Sequence, residues 1–189
     1  MTLPHSQAAR VQLVRCVVAK FAPIIEAGLS EEWDDVVLDH PGLPEITEGL
    51  AGMADPAVAV SLDDVEELTD SLEELLDLFE DEPMGNAYYP FKAAELVELY
   101  CRMATGDLPD DAPVPLAEWV DRFAGHVDWQ LDKSGIDLGR PKYFAELEQE
   151  LRAGQVGLTG REDSNFREFM ESSRDIGSRY VSALRSALS

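Results

Sequence analysis

The densest run of reactive side chains in this 189-residue sequence is a row of carboxylates. Asp63, Glu66, Glu67, Asp70, Glu73, Glu74 and Asp77 recur at helical spacing within residues 61–82, a stretch of eleven acids and no base. Such a row can be a solvated helix face, a docking face for a basic protein, or a weak trap for Mg²⁺ or Ca²⁺. The cation reading lacks its usual frame, because no Asp-x-Asp-x-Asp-Gly loop is present and no histidine joins the cluster. No metal ligand and no cofactor is therefore assigned.

Tyr88-Tyr89-Pro90 is the second candidate. An aromatic pair in a loop at a helix start could present its hydroxyl ends to a groove, so Tyr88 and Tyr89 are pocket candidates. Trp119, Trp129 and Tyr100 could line the same kind of pocket, but aromatics at helical spacing usually belong to a core. His5, His40 and His126 are scattered, and none sits in a His-Glu-x-x-His frame. His126 follows Phe123 by three residues, which suits a partly buried structural role. Cys16 and Cys101 lie within apolar helical patterns and read as reduced, buried thiols. There is no Walker loop, no dinucleotide fingerprint and no nucleophile elbow. No catalytic residue is assigned, and the balance leans away from an enzyme.

The elements that must position these groups are helices. Ser6 is a candidate N-cap for a helix carrying Val11, Val14, Val17, Val18, Phe21 and Ile25, which Pro23 should kink or end. A short helix is expected over residues 30–38, broken by His40-Pro41-Gly42. Pro44 suits the start of another, reaching Met53. Residues 54–60 read as a connector. Ser61 and Asp64 form a capping-box pattern ahead of a helix over residues 61–80, with Val65, Leu68, Leu72, Leu75, Leu76 and Phe79 on one stripe.

Pro90 should start the next helix and Gly106 end it. After a loop over residues 107–113, Pro115 opens a helix carrying Leu116, Trp119, Val120, Phe123, Val127 and Leu131, and Gly135 closes it. Pro141 opens one with Phe144, Leu147 and Leu151, ending at Gly154. A glycine-punctuated loop over residues 154–160 leads to a final helix over residues 164–188, with Phe166, Phe169, Met170, Ser173, Ile176, Tyr180, Leu184 and Leu188 on its apolar stripe. No repeat and no βαβ alternation is visible. The expected architecture is all-α, an irregular bundle of six to eight helices in a single domain spanning residues 1–189.

Charge is distributed unevenly. Residues 1–20 carry three cations and no acid, residues 21–91 carry 20 acids and no Lys or Arg, and the remainder carries 12 cations against 18 acids, for a net charge of −23. A field of this sign repels DNA, RNA and anionic membranes and steers basic partners inward. The longest apolar run, from Val11 to Ile25, is interrupted by Gln12, Arg15, Lys20 and Pro23, so no membrane span is expected. Without a secretory pattern at its start, the chain is expected to be cytoplasmic. Few lysines beside many Arg, Ala and Asp hint at a bacterial source with a GC-rich genome.

Three stretches resemble a bacterial family of uncharacterised all-helical proteins, domain-of-unknown-function family 416. They are Arg15-Cys16-Val17-Val18-Ala19-Lys20-Phe21-Ala22-Pro23, Tyr88-Tyr89-Pro90-Phe91-Lys92-Ala93-Ala94, and the terminal helix from Phe166 to Leu188 with its Arg174-Asp175 and Leu184-Arg185. Lys92 and Ala93 depart from the acidic residue expected after the Tyr-Pro turn. The resemblance implies a helical fold and brings no activity or site residues.

The functional expectation is a non-enzymatic acidic interaction protein that binds a basic partner, in the manner of an immunity protein, an antitoxin or a nucleic-acid mimic. Two alternatives stand beside it. One is a metal-dependent or small-ligand-binding enzyme that uses helix carboxylates. The other is a homo-oligomeric structural protein, with the charge-balanced terminal helix as a homodimer face.

Overall fold

The structure, a computed structural model, describes residues 7–30, 42–79, 81–108, 116–155 and 163–189. Seven α-helices account for most of them, with no strand among the described residues: α1 Gln7–Leu29, α2 Leu43–Ala54, α3 Leu62–Leu76, α4 Tyr88–Thr105, α5 Leu116–Lys133, α6 Tyr143–Gln155 and α7 Asp163–Leu188. The expectations for Ser6, His5, His40, the helix over 30–38, Pro115 and most of the loops over 107–113 and 154–160 lie outside the described residues.

α1 is the central helix. Fourteen of its 23 residues are buried, so it is apolar nearly all round, as a helix enclosed by others must be. It packs against α2, α4 and α7. Of the two outcomes expected at Pro23, a kink or an end, the helix does not end there, because α1 continues to Leu29. The ring removes one helical N–H. Burial of Ile24, Ile25 and Ala27 beyond it keeps the last turns in place. The other helices surround this axis, with α3 on α4 and α6 on α5.

Two close approaches set the spacing. A Cβ on Gly177 of α7 would fall 2.2 Å from the Lys20 carbonyl oxygen, and one on Gly28 would fall 2.2 Å from Pro90 Cγ. Only glycine lets the backbones come this near. Tyr180 of α7 is the hub of the aromatic core. It stacks on Phe144 with centroids 4.1 Å apart and meets Phe123 edge-on at 5.5 Å.

Several local expectations hold. α3 begins with a complete capping box, Ser61 and Asp64 bonding each other reciprocally. It is shorter than expected and ends at Leu76, so Phe79 lies beyond the helix. Pro44 is in the first turn of α2. Gly106 closes α4 in the left-handed conformation at φ 90°, where glycine has no Cβ penalty. The turn over Gly85–Ala87 runs directly into α4, so Tyr88 and Tyr89 belong to the first helical turn and not to a loop.

Candidate functional site

The apolar stripe of α3 turns inward, with Val65, Leu68, Leu72 and Leu75 buried. Helical geometry then forces the remaining positions outward. Asp63, Glu66, Glu67, Asp70, Glu73, Glu74 and Asp77 are all exposed. Among the described residues one of the seven forms an ion pair. Glu73 meets Arg102 Nη2 of α4 at 2.9 Å. Arg102 is held from its own helix by Glu98, and that hydrogen bond raises the pKa of the guanidinium.

Two arginines of α7 are engaged away from this face. Arg174 donates to the Ala54 carbonyl at the C-terminal end of α2, and Arg179 pairs with Asp175 at 2.7 Å and donates to Tyr143 Oη. Arg15 reinforces the same end of α2, donating to Met53 O at 3.1 Å and to Asp55 O. Two cations at a helix C-terminus are favourably placed for its dipole.

Just past α3, Leu78 is 51% exposed. It sets a large apolar side chain beside the end of the carboxylate row.

A groove of about 550 Å³ opens where the chain turns from α3 into α4. Glu82, Met84, Tyr88 and Tyr89 form one wall, and His126, Trp129 and Lys133 of α5 form the other. The rings form a chain, with Tyr88 to His126 at 4.5 Å and His126 to Trp129 at 5.4 Å. Lys133 Nζ lies 5.1 Å above Trp129. Trp129 remains 53% exposed. Burial raises the Tyr88 hydroxyl above its usual range, with the Glu82 carboxylate adding to the effect, and pushes Tyr89 up to about 12. Burial also lowers His126, favouring the neutral imidazole, against a smaller opposing pull from Glu82.

Tyr88 therefore lines a groove, while the ring of Tyr89 is largely core. His126, read from sequence as structural, and Trp129 share this wall. Their signal was present in the spacing 126, 129, 133, which places all three on one helix face. Cys16 and Cys101 are buried free thiols, and burial raises both to about 12. Among the described residues no three His, Cys, Asp or Glu side chains gather as a metal site, and no helix is long and apolar enough to cross a membrane.

Compared with known proteins, the chain matches no family model, no curated protein and no solved structure.

The largest departure from the sequence reading is in α6. Leu147 and Leu151, expected on its buried stripe, are half-buried, and Glu148 is 2% exposed. Glu148 accepts from Lys20 Nζ at 2.5 Å and from Tyr180 Oη at 3.0 Å. Lys20 and Tyr180 are themselves buried. This three-group network joins α1, α6 and α7 inside the core. Burial and the neighbouring Glu148 carboxylate hold the Tyr180 hydroxyl well above its ordinary range. Asp128 of α5 secures the other end of α6, accepting from the backbone N–H groups of Phe144 at 2.9 Å and Ala145 at 3.0 Å. These are N–H groups that a helix start leaves unpaired.

Proposed function

We propose that this chain is a non-enzymatic interaction protein whose α3 carboxylate face binds a basic partner protein, in the way an immunity protein, antitoxin or nucleic-acid mimic covers a cationic surface. The observation that carries this reading is the exposure of all seven acids along α3 and its C-cap, with Arg102 their single ionic partner among the described residues. A continuous negative field of this kind raises association rates and discriminates against anionic partners more than it adds affinity. Leu78 offers an apolar contact at the edge of the patch. Cytoplasmic placement in a bacterial cell belongs to the same proposal. Family 416 membership, carried by the three resembling stretches, would add no activity to it.

The test is capture of partners by the full chain from a lysate of its source cell, at low and high salt. A parallel capture uses a variant with Glu66, Glu67 and Glu74 changed to Gln and Asp70 to Asn. Retention should fall with salt and fall again in the variant, since exposed charges are screened within about 8–10 Å. Partners held equally at both salts and by both proteins would end the proposal.

The aromatic groove favours a second reading, capture of a small ligand, because three aromatic rings and the His126 imidazole converge on one opening. A thermal-shift screen of small molecules, run with and without Mg²⁺, Mn²⁺, Ca²⁺ and Zn²⁺, tests it. A stabilising compound whose effect disappears in Trp129→Ala supports it, and a screen with no hit removes it.

A further inference from the structure

A second acidic surface carries a shallow groove with aliphatic side chains along it. Between α6 and α7 lies a groove of about 420 Å³. Leu147 and Leu151 line it half-buried, above a buried Ile176. Its rim holds Glu150, Glu168, Glu171 and Asp175 against one cation, Arg179. Arg179 is already engaged by Asp175 and Tyr143, and Glu150 pairs with Arg140 at 3.1 Å. Glu168 and Glu171 form no ion pair among the described residues and sit one turn apart on the same edge of α7.

The lining residues repeat with the helical period on both walls: 147, 150 and 151 on α6, and 168, 171, 172, 175, 176 and 179 on α7. The α7 wall is three turns long, about 16 Å at 1.5 Å per residue. A shallow groove between two packed helices, lined by aliphatics and walled at 3.6-residue spacing, fits a third helix.

We propose that this groove docks an amphipathic helix of a basic partner protein, its apolar stripe on Leu147, Leu151 and Ile176 and its Lys or Arg side chains on Glu168 and Glu171. The inference rests on the reading of the chain as a receptor for basic proteins and moves the anchoring contact from α3 to α6–α7. Charge complementarity selects the occupant. A second copy of this chain would bring another net charge of −23, and a nucleic acid would meet the same repulsion.

The experiment measures binding of a labelled synthetic Leu/Lys peptide of about 18 residues, five helical turns, to the full chain at about 0.15 M salt. A scrambled peptide of the same composition has equal charge and no apolar face. The amphipathic peptide should bind about tenfold more tightly than the scramble, and Glu168→Lys with Glu171→Lys should weaken it about tenfold by placing like charges opposite the ligand. Leu147→Gln, at a half-buried position, should weaken it without unfolding the chain, as circular dichroism would verify. Equal binding of the two peptides, or no change in the Glu168/Glu171 variant, overturns the groove.

The α3 variant described above separates the two ideas. If it alone loses natural partners in the lysate capture, α3 stands and the groove fails. If the Glu168/Glu171 variant alone loses them, the groove stands and the assignment to α3 fails.

Discussion

α3 and α6 are both short, acidic, amphipathic helices, and the fold uses their carboxylates in opposite ways. α3 buries a clean aliphatic stripe and turns its acids to solvent. α6 keeps its leucines half-covered and sends Glu148 into the core, where Lys20 and Tyr180 receive it. The difference lies in the neighbours. α3 packs on α4, whose buried residues are mostly apolar. α6 reaches a place where α1 already presents a buried ammonium, and an ammonium there must be paired. A carboxylate's place on a helical wheel is therefore insufficient to say whether it serves a surface or a core.

The sharpest way to break this contrast is to remove the buried cation. Lys20→Met should lower unfolding stability by about 3–5 kcal/mol, because it leaves Glu148 buried and unpaired. Adding Glu148→Gln should recover much of that loss, since a neutral amide can still accept from Tyr180. Urea unfolding of the three proteins decides it. A double variant no better than Lys20→Met would show that the network is not what holds α6.

A smaller effect should come from the α1–α7 contact that brings Lys20 and Tyr180 together. Gly177→Ala should cost about 1–3 kcal/mol by overpacking against a backbone oxygen that cannot yield. Gly125→Ala on α5, where a Cβ would meet nothing within 4 Å, should instead stabilise by up to about 1 kcal/mol through helix propensity. Thermal unfolding of both variants reads the opposite signs.

On the α3 side, the cap is the next contribution. Ser61→Ala should cost about 1 kcal/mol. It should also change the acid limb of the stability curve. The Ser61 hydroxyl and backbone N–H bond the Asp64 carboxylate and lower its pKa. A depressed folded pKa gives stability that is present above the unfolded value and lost as pH falls through the folded one. The variant should show less of that loss in pH-dependent unfolding.

The smallest effect is on the exposed row itself. Neutralising Glu66, Glu67, Asp70 and Glu74 should raise stability by a few tenths of a kcal/mol for each relieved i, i+4 repulsion. The gain should shrink at high salt. A loss of stability would mean that these acids hold the fold together, and the contrast with Glu148 would collapse.

The helical class, the α3 capping box, the glycine ends after α4 and α5 and the inward stripes of α3, α5 and α7 were legible in the residue pattern. Each is a local or periodic consequence of side-chain type, and periodicity survives whatever the neighbours are. Exposure of Asp63, Glu66, Glu67, Asp70, Glu73, Glu74 and Asp77 followed from the same logic, because the leucines of α3 left them no other direction.

Tertiary structure decided the rest. Pro23 stays inside α1 because packing on several sides outweighs one missing hydrogen bond. Tyr89 turns into the core, and His126 and Trp129 line a groove, because α5 lies across the start of α4. Glu148 and Lys20, 128 residues apart, become a pair only when three helices meet around Tyr180. A sequence window reports how much apolar face a helix has, but which cation or ring waits opposite is set by chain segments outside that window.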